Sequence, residues 1–290
     1  MTEDIALIGA GIMGQAIGTR LLACGHNLTV FDIDAQKVSQ LVEKGAKASA
    51  SPALAAVQSG FVVLSLNHAD IVNKAVFGAD GIATTADSLK LLIDMSSIDP
   101  AATAAMAAQL KAQTGMAWVD CPLSGGVPGA LAGKLTIMAG GDRSDFERAR
   151  AVMKDLAANY TLMGSSGAGQ TTKLVNQLFC ALAFQAVAEA VKLAEAGGVD
   201  PTRIPGALAG GRADGRIMQE FMAKFAARDF ASTGSLGNML KDLDSIQAFA
   251  LKTKTPLPLT SAVTDIHRIL VAMGLGAKDS AEAMRLLDGK

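Results

Sequence analysis

Three polar side chains stand at helical spacing near the start of a long apolar stretch, and their chemistry suits a reaction centre. Lys173, Asn176 and Gln177 occupy positions i, i+3 and i+4, which places an ammonium and two carboxamides on one face of a helix. Lysine can serve as a cation and as a proton donor, and carboxamides can hold substrate oxygens. This face is a candidate half of an active site, although helix turns that simply reach solvent would show the same pattern.

The stretch that carries these residues predicts one long buried helix. Between Lys173 and Glu189 there is no charged residue, while Leu174, Leu178 and Leu182 recur at helical spacing. The uncharged run is shorter than the roughly 20 residues that a bilayer crossing needs. The pattern therefore favours a core helix over a membrane span.

A glycine motif near the amino terminus predicts a dinucleotide site. A short apolar run precedes GAGIMG, and helical patterning follows it. Glycines let backbone amides approach a pyrophosphate, and the helix N-terminus adds partial positive charge. A glycine-rich turn that merely packs is the alternative. Five residues are assigned to cofactor binding in this turn: Gly9, Gly11, Ile12, Met13 and Gly14.

An acidic residue follows at the distance that such a site requires. The next predicted strand, LTVFD, ends on Asp32, about 20 residues after the glycines, where a carboxylate meets the adenosine ribose hydroxyls. That carboxylate would repel the 2′-phosphate of NADP, and Ile33 and Asp34 offer no arginine to bind it. NAD is therefore the favoured cofactor.

The remaining pattern divides the chain into two parts. Residues 1–164 alternate strands with Ala-rich helical stretches, which predicts an α/β doubly wound, mostly parallel sheet. Residues 165–290 read as an all-helical domain, joined to the first by a long helix at about 168–196. Further strands are predicted at 61–66, 91–95, 116–119, 135–138 and 160–163, and further helices at 201–208, 217–227, 236–252, 259–273 and 280–287.

Ligands of such a sheet bind beyond the carboxyl ends of its strands, so the loops at 65–71, 94–100 and 120–130 are the candidate binding loops. In the last of them, Ser124 precedes Gly125 and Gly126. Exposed amides and a hydroxyl could converge there on a substrate carboxylate or carbonyl oxygen. Turns of Pro, Ser and Gly also occur for purely geometric reasons, and the same alternative applies to Ser96 and Ser97.

Composition narrows the class of partner to small molecules. The net charge is −1, and blocks of like charge are missing from the sequence, which leaves no electrostatic footprint for nucleic acid or an acidic membrane. Cys24, Cys121 and Cys180 are odd in number and scattered, so they predict neither a disulfide framework nor a metal site. The amino terminus carries two acids and no signal-peptide pattern, which predicts a cytoplasmic location.

Hydride transfer to a carbonyl leaves developing alkoxide charge, so its site needs a cation or a proton donor beside that oxygen. Lys173 can supply both. Burial at the base of an apolar helix would lower the pKa of this lysine toward the working pH. Asn176 and Gln177 could then hold substrate oxygens and fix the substrate's pose.

Four stretches resemble the β-hydroxyacid dehydrogenase family, in order and over the whole chain. They are GAGIMG, DCPLSGGVPGALAGKLTIMAGG at 120–141, GAGQTTKLVNQ at 167–177 and KDLDSIQAFA at 241–250. The family includes 3-hydroxyisobutyrate dehydrogenase and tartronate semialdehyde (2-hydroxy-3-oxopropionate) reductase. The resemblance implies a Rossmann domain followed by a helical domain, and hydride transfer between NAD(H) and a short 3-hydroxy acid or its semialdehyde. It also implies a homodimer or homotetramer built around the long helix.

The resemblance also assigns roles to individual residues. Lys173 matches the catalytic lysine, and Ser124 with its two following glycines matches the loop that binds the substrate carboxylate. Asn176 matches a substrate-binding amide of the helix, and its neighbour Gln177 is a further substrate-binding candidate. Lys241 and Asp242 match a KDL signature that lines the substrate and cofactor cleft. Leu66, Asn67 and Ser97 fall on the cofactor loops, the last near the nicotinamide.

Several positions depart from the family pattern. Gln177 stands where many relatives have a second asparagine, and Asn67 replaces a frequent proline. Gly234 falls where relatives place a pocket phenylalanine, and Arg212 falls where semialdehyde reductases often carry an apolar residue. Together the last two suggest a roomier pocket with a second cation, and thus a bulkier or more acidic substrate than 3-hydroxyisobutyrate. An Arg212 that faces solvent is the alternative.

Two other readings of the whole chain stay open. Imine reductases share this architecture but usually lack the lysine, so Lys173 argues against that chemistry. A catalytically silent nucleotide-binding regulator would keep the glycines and Asp32 while losing the polar helix face, yet Lys173, Asn176 and Ser124 are all present.

Overall fold

A computed structural model describes residues 2–289, and nine strands in that range form one sheet. The strands are β1 (Asp4–Ile8), β2 (Asn27–Phe31), β3 (Lys47–Ala48), β4 (Phe61–Leu64), β5 (Leu91–Asp94), β6 (Ala117–Asp120), β7 (Leu123–Ser124), β8 (Leu135–Gly140) and β9 (Ala157–Gly164). Their order in the sheet is β3-β2-β1-β4-β5-β6-β8-β7, and β9 pairs with β8.

The sheet is mostly parallel, as predicted. All pairings from β3 to β6 are parallel, whereas β8 runs antiparallel to β6 and β7, and β9 is parallel to β8. All seven predicted strands are present. The strands β3 and β7 were not predicted, because two residues each are too short to show a period of two.

The helices cover the sheet and then continue alone to the end of the chain. They are α1 (Ile12–Ala23), α2 (Ala35–Val42), α3 (Pro52–Ala56), α4 (Ala69–Phe77), α5 (Pro100–Thr114), α6 (Gly126–Leu131), α7 (Arg143–Leu156), α8 (Ala168–Ala196), α9 (Ile204–Leu208), α10 (Arg216–Ala226), α11 (Leu236–Thr253), α12 (Pro258–Leu270) and α13 (Ala283–Asp288). Short 3₁₀ turns occupy Ile82–Thr84, Pro201–Arg203 and Ser280–Glu282, and a π turn occupies Val271–Leu275.

Strand β1 shows how the sequence separates the two faces of the sheet. Ile5 and Leu7 are buried in one apolar cluster, while Ala6 and Ile8 are buried in another. Successive side chains of a strand point to opposite faces, so a continuous apolar run feeds a core on each side. This is the pattern of a central parallel strand covered by helices on both faces.

The described residues up to Lys173 form one compact unit, and those from Leu174 onward form another. The second unit is all-helical. Its largest apolar cluster joins Val187 and Val191 of α8 to Met222 and Phe225 of α10 and to Met284 of α13. An α/β part followed by an all-helical part is therefore confirmed.

Helix α8 lies where the sequence predicts it, but the prediction that it is buried is only partly right. Val175, Phe179 and Leu193 are 48%, 67% and 77% exposed. Their spacing puts them along one side of the helix, so apolar residues line more of its surface than the chain's own core covers. By length and composition α8 could also cross a membrane, yet Val187 and Val191 farther along it are packed in the helical cluster.

Candidate functional site

The three glycines of GAGIMG are explained by two different physical causes. A Cβ built on Gly9 would overlap the carbonyl oxygen of Ser65, and one on Gly14 would overlap the carbonyl oxygen of Gly9. These two glycines are required by packing. A Cβ on Gly11 would meet no described atom within 4 Å, so packing does not explain that glycine, but the close approach of a ligand would.

Helix α1 begins directly after this open position. Gly11 is its N-cap residue, and among residues 2–289 no side chain accepts a hydrogen bond there. The first amides of a helix have no acceptor within it, so they suit a pyrophosphate. Ile12 is 80% exposed and Met13 is partly buried against the core. The cradle therefore fits the phosphates of a dinucleotide.

Asp32 lies beside the cradle, directly after β2. Its Oδ2 accepts a hydrogen bond from the Ala10 amide at 2.7 Å, and its Oδ1 accepts one from the Asp34 amide at 2.9 Å. These bonds fix the carboxylate next to the glycine turn. Each carboxylate oxygen has a second lone pair, which suits the ribose hydroxyls predicted to bind there.

The cofactor loops after β4 and β5 are joined by a buried serine. The Leu66 amide donates to Ser96 Oγ at 3.0 Å, and Ser96 is only 2% exposed. Asn67 is exposed and Ser97 is half-buried. Of the two serines weighed from the sequence, Ser96 ties the loops together, and Ser97 is the one with surface left for a ligand.

The predicted carboxylate loop follows β7. Ser124 is half-buried and pairs with Thr136 of β8, whereas Gly125 and Gly126 are exposed. Their φ angles are +123° and +59°, and two successive positive values strain any residue with a Cβ. Exposed backbone next to a hydroxyl is compatible with the anion site that the sequence predicts here.

Lys173 is half-buried on the second turn of α8, and the first turn of that helix is fixed by a buried carboxylate. Asp120, the last residue of β6, accepts hydrogen bonds from the Gly167 amide at 2.8 Å and the Gln170 amide at 3.1 Å. The Gln170 side chain in turn bonds to the loop that carries Ser97. Lys173 therefore directly follows a helical turn that is fixed at the carboxyl edge of the sheet.

Two carboxylates meet at that edge, and the sequence reasoning singled out neither. Asp94 ends β5 and pairs in register with Asp120. Burial raises the pKa of Asp94 to about 6, with a further contribution from the charge of Asp120. Burial also raises the pKa of Asp120, and the hydrogen bonds from Gly167 and Gln170 offset part of that rise. The available signal was their position, since each aspartate is the last residue of a buried strand.

In the second unit, the predicted polar residues of α8 and α11 form one hydrogen-bonded chain. Asn176 Nδ2 donates to Gln177 Oε1 at 2.8 Å, and Gln177 Nε2 donates to Asp242 Oδ2 at 2.5 Å. Lys241 Nζ lies 3.3 Å from Asp242 Oδ1. A carboxylate only accepts, so it fixes the orientation of both amides. The NH₂ group of Asn176 is thus used within the protein, since it also donates to Cys180 Sγ at 3.7 Å.

The two positions that suggest an unusual pocket are both exposed. Arg212 lies in the turn between α9 and α10, and Gly234 lies just before α11. A Cβ on Gly234 would meet no atom of residues 2–289 within 4 Å. A larger side chain would therefore fit the fold at Gly234, and its absence leaves open space.

Comparison with known proteins gives these features a family. Residues 4–164 match the model for the NAD binding domain of 6-phosphogluconate dehydrogenase. Residues 167–287 match the model for the NAD-binding region of NADP-dependent 3-hydroxyisobutyrate dehydrogenase. The chain belongs to the 3-hydroxyisobutyrate dehydrogenase family. It is therefore an oxidoreductase with an NAD(P)-binding Rossmann domain, and the predicted fold and family are confirmed.

Individual relatives match over nearly their full length. The 2-(hydroxymethyl)glutarate dehydrogenase of Eubacterium barkeri is 32% identical over 97% of this chain and 94% of its own. The 2-hydroxy-3-oxopropionate reductase of Escherichia coli K12 is 32% identical over 98% and 97%. The solved structure of Mycobacterium tuberculosis 3-hydroxyisobutyrate dehydrogenase with L-serine has a TM-score of 0.89 at 28% identity, covering 99% of both chains.

Imine reductases are more distant members of the same fold. The enzyme from Pseudomonas has a TM-score of 0.62 at 20% identity, over 99% of this chain and 100% of its own. That likeness shows the fold alone. The hydroxyacid dehydrogenases of the 3-hydroxyisobutyrate dehydrogenase family share more of the sequence, which favours their chemistry over imine reduction.

The glycine cradle gives a direct test of the cofactor site. We expect Gly11→Ala to leave the melting temperature within about 1 °C, because the new methyl meets open space, and to weaken NADH binding at least tenfold (~1.4 kcal/mol). Fluorescence titration with NADH measures the affinity. Gly14→Ala is the matched control, and we expect it to lower the melting temperature because its methyl overlaps Gly9. An unchanged NADH affinity in Gly11→Ala would show that the pyrophosphate does not bind next to Gly11.

Proposed function

We propose that this protein transfers a hydride between NAD(H) and a short 3-hydroxy acid or its semialdehyde, with Lys173 as general acid and base. The observation that carries the proposal is the position of Lys173 one helical turn beyond Gln170, whose backbone and side chain are both bonded to the carboxyl edge of the sheet. The cradle at Gly11 and the loop at Ser124 lie in loops at that same edge.

The reaction follows from these groups. When bound, the nicotinamide supplies or accepts the hydride. In the oxidative direction, neutral Lys173 takes the proton of the substrate hydroxyl while a hydride leaves the same carbon, and a carbonyl forms. In the reductive direction, the protonated amine stabilises the developing alkoxide and then donates its proton. Ser124 and the amides of Gly125 and Gly126 hold the substrate carboxylate and fix the reacting carbon.

The amide chain supports a hydroxylated substrate. Asn176 offers an acceptor oxygen, since its NH₂ group is bonded to Gln177. An acceptor suits a hydroxyl group and repels a carboxylate. The M. tuberculosis relative was solved with L-serine, which carries a hydroxyl on the third carbon of a carboxylic acid. That molecule has the two groups that Asn176 and the Ser124 loop would recognise.

Lys173→Ala tests the assignment. We expect turnover to fall by roughly 10²- to 10⁴-fold, as for a lost general acid, while NADH still binds with its original affinity. Absorbance of NADH with tartronate semialdehyde measures turnover, and fluorescence titration measures binding. Lys154→Ala, which removes an exposed lysine on α7, is the control. Near-normal turnover in Lys173→Ala would refute the role.

The choice of NAD over NADP rests on Asp32. Its carboxylate is fixed beside the glycine turn by the Ala10 and Asp34 amides, where it would repel a 2′-phosphate. We expect Asp32→Asn to lower the ratio of kcat/KM for NAD over NADP by about tenfold, or ~1.4 kcal/mol. Asp34→Asn is the matched control, because Asp34 caps α2 through its side chain and asparagine caps equally well. An unchanged ratio in Asp32→Asn would show that another residue sets the preference.

We further propose a substrate bulkier or more acidic than 3-hydroxyisobutyrate. The open space at Gly234 supports it, whereas the exposed Arg212 would have to turn inward to add its charge. The E. barkeri relative is named for 2-(hydroxymethyl)glutarate, which is a larger, doubly charged hydroxy acid. A pocket that lacks the family phenylalanine has room for such a second carboxylate.

A substrate panel tests this specificity. We expect 2-(hydroxymethyl)glutarate to have a higher kcat/KM than 3-hydroxyisobutyrate, and Gly234→Phe to lower kcat/KM for the larger acid by about tenfold (~1.4 kcal/mol). Arg212→Ala should lower kcat/KM for the dicarboxylate alone, whereas Arg203→Ala, at another exposed arginine, should not. Equal turnover of both acids, unchanged in Arg212→Ala, would remove the basis of the hypothesis.

We also propose that the protein is a homodimer or homotetramer. An apolar groove of about 830 Å³ lies in the second unit, lined by α8 residues that include Phe179 and Leu193. These side chains are 67% and 77% exposed, and such patches mark interaction sites. A second copy of the same helix offers a matching apolar surface. Light scattering after size-exclusion chromatography measures the assembly, and a monomer at every concentration would contradict the proposal.

A further inference from the structure

The loop that carries Ser97 is held by a single buried side chain from α8. Gln170 is 1% exposed. Its Nε2 donates to the Ser96 carbonyl at 2.8 Å, and its Oε1 accepts from the Ile98 amide at 3.2 Å. The two backbone groups that flank Ser97 are therefore both bonded to one carboxamide.

The same glutamine is fixed from the other side by the sheet. Its backbone amide donates to Asp120 Oδ2 at 3.1 Å, and the Gly167 amide donates to Asp120 Oδ1 at 2.8 Å. Gly140 and Gly169 leave room for this carboxylate, since a Cβ on either would lie within 2.7 Å of its oxygens. Asp120 thus fixes the position of the first turn of α8. Gln170 fixes the position of the Ser97 loop relative to that turn.

The hydrogen bonds continue to the remaining cofactor loop. The Ser96 amide donates to Asp94 Oδ1 at 3.0 Å, and Ser96 Oγ accepts from the Leu66 amide at 3.0 Å. One continuous set of bonds therefore runs from Leu66 through Ser96 and Gln170 to Asp120. Lys173 follows Gln170 by three residues, which is close to one helical turn.

We propose that Gln170 and Asp120 are positioning residues that set the distance between Lys173 and the nicotinamide held by the Leu66 and Ser97 loops. The inference rests on the proposed acid and base role of Lys173. Misplacing a reacting group by about 1 Å can lower a rate 10²-fold. Neither side chain has to touch the substrate for its loss to slow the reaction.

Gln170→Met is the test, because it keeps the length of the side chain and removes both hydrogen bonds. We expect kcat with tartronate semialdehyde and NADH to fall at least tenfold, while the affinity for NADH and the KM for the semialdehyde stay within about threefold. The kinetic isotope effect with 4,4-dideuterated NADH should rise toward its intrinsic value, because the chemical step becomes slower than product release. A loss of folded enzyme would leave that isotope effect unchanged.

The matched control is Gln185→Met. Gln185 is also a buried glutamine of α8, 7% exposed, but its Nε2 donates to Glu189 in the next turn of the same helix. We expect its kcat and isotope effect to match those of the unsubstituted protein. Asp120→Asn serves if Gln170→Met does not fold. Asparagine keeps one acceptor oxygen for the first turn of α8. The fall in kcat and the rise in the isotope effect should therefore be smaller than in Gln170→Met.

A double variant separates this inference from the proposed function. If Gln170 acts through the lysine, adding Gln170→Met to Lys173→Ala should not lower the residual rate further. A further tenfold loss in the double variant, or an unchanged kcat in Gln170→Met while Lys173→Ala is inactive, would overturn the positioning role alone. Full turnover in Lys173→Ala would instead overturn the catalytic assignment on which it rests.

Discussion

The buried carboxylate of Asp120 is the constraint on which the position of the first turn of α8 depends. Asp120 is fully buried, and a buried charge costs several kcal/mol unless hydrogen bonds compensate for it. The start of a helix has the opposite deficit, since its first amides lack acceptors within the helix. Asp120 and the first turn of α8 satisfy each other through Gly167 and Gln170. The first turn of α8, which is the helix that carries Lys173, is therefore held at the carboxyl end of β6.

The pairing of Asp120 with the first turn of α8 also explains two glycines that lie against this carboxylate. The segment GSSGAG, residues 164–169, runs from the end of β9 into the first turn of α8. In the structure Gly169 is buried, and a Cβ there would lie 2.7 Å from Asp120 Oδ2. Gly140, on β8, meets the same carboxylate from another side. These two glycines therefore make room for the carboxylate of Asp120.

Sequence periodicity predicted the elements well because it is a local property. The apolar run of β1 and the helical spacing of α8 can be read from neighbouring residues. The network at Gln170 could not be predicted in this way, since its partners Ser96 and Ile98 lie about 70 positions earlier, and only the tertiary fold brings them together. The exposure of Phe179 could not be predicted either, because an apolar residue type does not show which surface covers the side chain. Gly11 and Gly14 make the same point, as identical residues with different causes.

The chain of amides in the second unit shows how one carboxylate can orient two neighbouring side chains. Gln177 is one methylene longer than an asparagine would be at this position, and it reaches Asp242 directly. Because a carboxylate accepts and cannot donate, the direction of every bond from Asp242 to Asn176 is fixed. Reversing either amide would place two donors or two acceptors face to face. The carboxylate of Asp242 thereby sets the orientation of Asn176, which lies two side chains away.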